Sequence, residues 1–284
     1  MYPDSRILKF KGLAIHHRVL APAGPILRRA LLIPSPGQST YSWRRVAEEL
    51  VGQGCLVALC DLPGFGFSSC GEGVPHRQDQ RARLLWGVLD EIDMEFGGKY
   101  RFWSLIGHGS GAGTAAAMAI LAPDSVASIA LVNPILYPLT GAALSRLLKT
   151  RAGERLLKRW HRRHLQDRAR LFKLSKWLYG APLRDEALYR LREPFARAGA
   201  DEALPKLLTQ GYRVPKRALA RLFPPALILW GGRDRLLGAR IPKRLASRLP
   251  NAECHVLPRA GHCAPETNSR AVCDYLRGWL RAMG

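Results

Sequence analysis

The stretch from Phe102 to Ala122 restricts the fold more than any other part of the chain. Phe102 to Ile106 is apolar, four glycines then alternate at Gly107, Gly109, Gly111 and Gly113, and the small residues of Thr114 to Ala122 follow at once. The apolar run reads as a buried strand and the small-residue run as a helix. Joining the two over so few residues demands one position at φ > 0 whose neighbours carry little or no side chain, a geometry that glycine adopts freely. A strand, a very sharp turn and a helix are therefore expected here.

The same alternation extends to both sides. Ile7–Phe10 and Leu13–Val19 flank Lys11-Gly12 as a hairpin would. Ala30–Ile33, Leu56–Cys60 and Val126–Asn133 read as buried strands, with amphipathic helices at Ser42–Leu50, capped by Ser42, and at Arg81–Phe96. From Tyr137 to Phe223 the strand pattern stops and the periodicity is helical throughout. It resumes with a strand at Ala226–Trp230, a helix at Arg240–Leu249, a strand at Cys254–Leu257 and a closing helix at Ser269–Met283. Strands alternating with helices imply an α/β fold. Its central sheet should be mostly parallel, wound by right-handed crossovers, with helices on both faces. The helical block is then an insertion, so residues 1–136 and 224–284 form the two parts of one core and residues 137–223 a cap. The 284 residues, 47% of them apolar, suffice for a core of that size.

Four motifs carry chemistry or its scaffold. Gly107-His108-Gly109-Ser110-Gly111 ends one strand. Asp61-Leu62-Pro63-Gly64-Phe65-Gly66-Phe67-Ser68 ends another. Trp230-Gly231-Gly232-Arg233-Asp234 and Ala260-Gly261-His262 end the last two. Together they resemble the α/β-hydrolase family over nearly the whole chain outside the cap. The resemblance implies a sharp turn of the G-x-S-x-G type flanked by Gly107 and Gly111, with Asp234 as the acid and His262 as the base of a catalytic triad. It also implies a purely structural role for the Asp61 loop.

Two positions depart from the family pattern. Gly109 stands where the family has its serine, and the nearest hydroxyl is one residue late, at Ser110. For Ser110 to be the nucleophile the turn would slip by one residue, bringing the bulky His108 to a flank that wants almost no side chain. The second departure is the oxyanion loop, to which Pro34, Ser35, Pro36 and the Ser110 N–H correspond. An ungapped match puts Pro36 on the oxyanion donor, and proline has no N–H. A gapped match would put Gln38 there. Losing one such donor costs about 2.7–4 kcal/mol of transition-state stabilisation. A serine restored at position 109 is expected to cost about 1–3 kcal/mol in backbone strain.

Two functions follow, of different classes. In one, the protein is a hydrolase acting on a small ester, acyl or related molecule through an Asp234–His262 dyad, with Ser110 as nucleophile or with His262 activating water or abstracting a substrate proton directly. In the other, it is a pseudo-hydrolase that binds a ligand or partner in the cleft. No nucleotide-binding fingerprint or metal-ligand spacing is convincing; Gly107-x-Gly109-x-x-Ala112 lacks the acidic partner at the end of the next strand. No cofactor or metal is expected.

Charge adds one more indication. The net charge is +22, and residues 141–223 carry 21 basic against 7 acidic residues. An anionic membrane surface or an acidic ligand is a possible partner of such a cap, while no nucleic-acid-binding motif accompanies the charge. The start of the chain has no apolar stretch of signal-peptide length, and the six cysteines form no C-x-x-C. A cytoplasmic protein with reduced thiols, peripheral to a membrane at most, is expected.

Overall fold

A computed structural model of the chain describes residues 2–97, 102–137, 142–210, 214–238 and 241–282. The core elements run β1 (Ser5–Phe10), β2 (Leu13–Leu20), β3 (Arg28–Ile33), α1 (Arg44–Val51), β4 (Cys55–Cys60), α2 (Gln78–Phe96), β5 (Trp103–His108), α3 (Ser110–Leu121) and β6 (Val126–Val132). Six helices follow before the next strand: α4 (Ala142–Leu148), α5 (Arg151–Leu165), α6 (Arg168–Tyr179), α7 (Asp185–Phe195), α8 (Ala203–Gln210) and α9 (Lys216–Leu219). The core then resumes with β7 (Ala226–Gly231), α10 (Ile241–Ala246), β8 (Ala252–Leu257), α11 (Ala264–Thr267) and α12 (Ser269–Ala282).

The eight strands form one sheet in the order β1-β2-β4-β3-β5-β6-β7-β8. β1 and β2 form the antiparallel hairpin, and β2 pairs antiparallel to β4. The remaining pairs are parallel. Strand residues alternate between two apolar layers, as a period of two requires. Leu31, Ile33, Leu105 and Ile129 face the side covered by α2 and α3. Leu32, Ile106, Ala130 and Leu229 face the side covered by α1 and α12.

From β3 the chain crosses to β4 on one flank; from β4 it crosses to β5 on the other. The carboxyl ends of β3 and β5 therefore border the crevice where the winding reverses, the place where open α/β sheets bind ligands.

The local differences from expectation have local causes. α3 begins at Ser110 rather than Thr114, because the turn consumes only Gly109 and the later glycines are helical. Ser42 is not the cap of α1: a 3-10 turn, Thr40–Trp43, precedes that helix, and its cap is Ser39, whose hydroxyl accepts from the Tyr41 N–H at 3.4 Å. The expected helix start at Arg240 and the end at Met283 lie outside the described residues. Asp61 is buried, accepting from the N–H groups of Thr40 at 2.7 Å and Phe67 at 2.8 Å and pairing with His16 Nδ1 at 2.8 Å. It ties the loop after β4 to β2 and to the 3-10 turn before α1. Among the described residues no helix is long and apolar enough to cross a membrane.

Candidate active site

The sharp turn is centred on Gly109, which has φ 55° and ψ −122°. Its N–H donates to Val132 O at 3.0 Å and its carbonyl accepts from the Ile135 N–H at 2.8 Å, which anchors the turn to the end of β6. The flanking glycines are required by close approach. A Cβ on Gly107 would lie 2.5 Å from Ala112 Cα, and one on Gly111 would lie 2.5 Å from the carbonyl oxygens of Ile33 and Pro34.

Asp234 and His262 follow β7 and β8 and meet at the same edge. Asp234 Oδ2 accepts from His262 Nδ1 at 2.8 Å and from Asn133 Nδ2 at 2.7 Å. Its Oδ1 accepts from the N–H groups of Leu236 and Leu237 at 2.8 and 3.0 Å. Burial alone would raise the Asp234 carboxyl, but the hydrogen bonds from His262, Asn133 and Leu236 outweigh it and hold the group below its ordinary value. The carboxylate therefore stays ionised and fixes Nδ1 as a protonated nitrogen of His262. Nε2 is left as the basic nitrogen, without a hydrogen-bond partner among the described residues, on a residue that lines the cleft. Asn133, held at φ 44°, also accepts from the Gly231 N–H at 3.3 Å. Its part in holding Asp234 has a faint sequence signal, an amide immediately after an apolar strand.

His108 is wholly buried. Burial first, then the neighbouring His262, push its pKa down to about 3. A neutral imidazole has one N–H, and the His262 carbonyl 2.8 Å from Nε2 requires it there. The structure sets Gln38 Oε1 2.7 Å from Nδ1 and has Gln38 Nε2 donating to the Tyr179 hydroxyl at 3.2 Å; a neutral His108 with its proton on Nε2 accepts at Nδ1, which the amide meets once its oxygen and nitrogen are exchanged. His108 thus locks the backbone of His262 to the loop after β3.

That loop, Pro34 to Gln38, does not supply the donor of the gapped match. The Gln38 N–H donates to Ser35 O at 2.9 Å. Pro36 sits in the second position and Gly37, at φ 89°, in the third, the signature of a type II turn. The Gln38 N–H is therefore consumed by the turn and is no oxyanion donor. The turn places the Ser35 side chain against Gly109. A Cβ built on Gly109 would overlap Ser35 Oγ, lie 2.9 Å from Ser35 Cβ and stand 3.6 Å from His262 Nε2. The space expected to admit a serine at position 109 is thus already occupied by another serine. Ser110 is the first residue of α3, and its hydroxyl is buried with no hydrogen-bond partner.

Above these groups lies a cavity of about 230 Å³. Its wall is dominated by leucines of the helices between β6 and β7, among them Leu165, Leu171, Leu178 and Leu207, with Phe65 and Phe195. No lysine or arginine lines it among the described residues. The one polar group α5 turns inward is His161, which is buried with neither ring nitrogen partnered; burial lowers its pKa. On α5 and α6, Arg155, Arg159, Arg162, Arg168, Lys173 and Lys176 are all exposed.

A sequence profile described as the alpha/beta hydrolase fold matches residues 31–269, and the chain belongs to that family. A 2-hydroxy-6-oxononadienedioate/2-hydroxy-6-oxononatrienedioate hydrolase of Cupriavidus pinatubonensis is 31% identical over 85% of this chain and 83% of its own. The fold is similar to that of a membrane phospholipase A, with a TM-score of 0.79 at 22% identity over 98% of this chain and 86% of the other. A haloalkane dehalogenase of Agrobacterium tumefaciens gives 0.78 at 21% identity, over 99% and 97% of the two chains.

Proposed function

We propose that this protein hydrolyses a small, uncharged ester or acyl compound with an apolar body, using His262 as general base and Asp234 to orient it. The observation that carries this reading is the unpartnered His262 Nε2 on the wall of an apolar cavity, with Nδ1 fixed by an ionised carboxylate at 2.8 Å. The relative from Cupriavidus is named for dicarboxylate substrates. A carboxylate in this cavity would find no lysine or arginine among the described lining residues, and burying an unpaired charge is costly. The reading is therefore of a neutral substrate, whose hydrocarbon part lies among the cap leucines and whose polar atom takes a hydrogen bond from His161.

The cap, residues 137–223, closes over the core in this reading, with its charge left to the outer face. Six free cysteines support a reducing, cytoplasmic setting. The second reading, a binder that does not turn its ligand over, is favoured by the absence of a side chain at Gly109.

Hydrolysis of p-nitrophenyl esters of increasing acyl length decides between them. Turnover that falls at least about 10²-fold in His262→Ala, and that prefers medium acyl chains to dicarboxylic monoesters, is expected. Binding of the same esters with no His262-dependent turnover would establish the binder instead.

A further inference from the structure

We propose that Ser35 supplies the hydroxyl that the turn at Gly109 lacks, and is the nucleophile that His262 activates. The inference rests on the His262–Asp234 reading above and goes further by naming the attacking atom.

The geometry points to one place. The position where a side chain on Gly109 would begin is 3.6 Å from His262 Nε2 and inside the contact distance of Ser35 Oγ. Ser35 Oγ and the basic nitrogen thus border the same small volume. Neither has a hydrogen-bond partner among the described residues, and both residues line the cavity. The loop holds Ser35 firmly: prolines on both sides fix the backbone, and its carbonyl closes the turn with the Gln38 N–H at 2.9 Å. Rotation about one side-chain bond moves Oγ relative to Nε2, and catalytic hydrogen bonds commonly tighten only when substrate is bound.

Gly109 gains a reason from this arrangement. With any side chain there, Ser35 could not occupy its place. The absence at position 109 and the hydroxyl at position 35 are complementary, which a decayed site has no need to preserve. Ser110 also lines the cavity but is the weaker candidate, since its hydroxyl is fully buried on the first turn of α3. Its N–H has a different use. It is the first of the helix, has no partner within it, and points where negative charge is favoured.

The reaction balances without a cofactor. Nε2 of His262 takes the Ser35 hydroxyl proton as Oγ bonds to the ester carbonyl carbon, and the carbonyl π electrons move to its oxygen, which the N-terminus of α3 stabilises. The tetrahedral species collapses with cleavage of the bond to the alkoxy oxygen, and the imidazolium returns the proton to give the alcohol. Water then gives a proton to His262 and attacks the acyl-Ser35. The acid leaves, and Ser35 Oγ regains the proton.

The test is labelling of the full chain with a fluorophosphonate, read by intact mass and tryptic mapping. Ser35 falls in the peptide of residues 30–44 and Ser110 in that of residues 102–146, so the two are separable. The expected result is one adduct at Ser35, absent in Ser35→Ala and in His262→Ala, with ester turnover in Ser35→Ala reduced by about 10³-fold or more. Ser35→Cys, which keeps a nucleophile in place, should trap a thioester detectable by mass, and matching circular dichroism of the variants checks their folding. An adduct at Ser110, or His262-dependent turnover that survives Ser35→Ala, overturns the assignment and leaves the His262–Asp234 reading intact. Absence of any His262-dependent turnover overturns both.

Discussion

Adding a single methyl group at the turn tests the packing on which the site depends. In Gly109→Ala the new Cβ must be carried at φ 55°, ψ −122°, a conformation that costs a non-glycine residue about 1–3 kcal/mol. The same atom overlaps Ser35 Oγ and comes 2.9 Å from Ser35 Cβ. Ser35 Oγ can turn aside, but Ser35 Cβ has little room to yield, because its turn is closed by a hydrogen bond and flanked by prolines. Overpacking of this kind costs a further 1–3 kcal/mol or so. Gly109→Ala should therefore lose about 2–6 kcal/mol in total, summing those two ranges. Ser35→Gly removes both atoms that the new methyl meets. The double variant should recover the packing part and keep the backbone part, so the two substitutions should couple by about 1–3 kcal/mol. Urea unfolding followed by circular dichroism, with an unchanged m value, measures each corner of the cycle. Costs that add to within about 0.5 kcal/mol would mean that the two residues do not share that space, and the reasoning would fail.

Other outcomes follow from the same geometry. Gly109→Ser in the Ser35→Gly background should move fluorophosphonate labelling from residue 35 to residue 109, as peptide mapping would read. Asn133→Ala removes the 2.7 Å donor to Asp234; it should destabilise by about 1–3 kcal/mol and lower kcat more than KM in ester hydrolysis. Burial holds His108 down to about 3 and His76 to about 2, against 6.5 when unfolded. The unfolded chain therefore binds more protons below pH 6.5, and stability, full above that pH, falls toward pH 3. Each such histidine contributes a slope approaching 1.4 kcal/mol or so per pH unit, measurable as urea midpoints between pH 7.5 and 4.5. The exposed arginines of the cap should give weak binding to anionic vesicles that disappears with salt; equal sedimentation with neutral vesicles would exclude an electrostatic origin.

The fold was legible because a parallel sheet buried on both faces writes itself as short apolar runs, each ending in turn residues. Asp234 and His262 stood out because each follows such a run behind a recognisable motif. The rest of the site is a matter of direction rather than identity. Ser35 was visible as a loop residue, but that its hydroxyl fills the space beside Gly109 depends on a type II turn meeting a neighbouring strand end. The link from His108 through Gln38 to Tyr179 spans residues far apart in the chain, as does the hold of Asn133 on Asp234. The cap is Ser39 rather than Ser42 because a 3-10 turn before a helix shifts the register without altering the apolar pattern.

The sheet order also sets when the site can exist during synthesis. Ser35 and Gly109 leave the ribosome early, on neighbouring strands whose ends align, with Ile33 paired to Gly107. Asp234 and His262 arrive only after the entire cap, on β7 and β8, which extend the sheet from β6. Until then β6, Val126–Val132, is an apolar strand with an open edge, the kind of surface that pairs with whatever strand is near. A nascent chain stopped within the cap would hold the proposed nucleophile with no base beside it, and an edge prone to aggregation. Closing that edge with β7 is the same event that brings Asp234 to Asn133, so the step that protects the young protein from misassociation also begins to arm it.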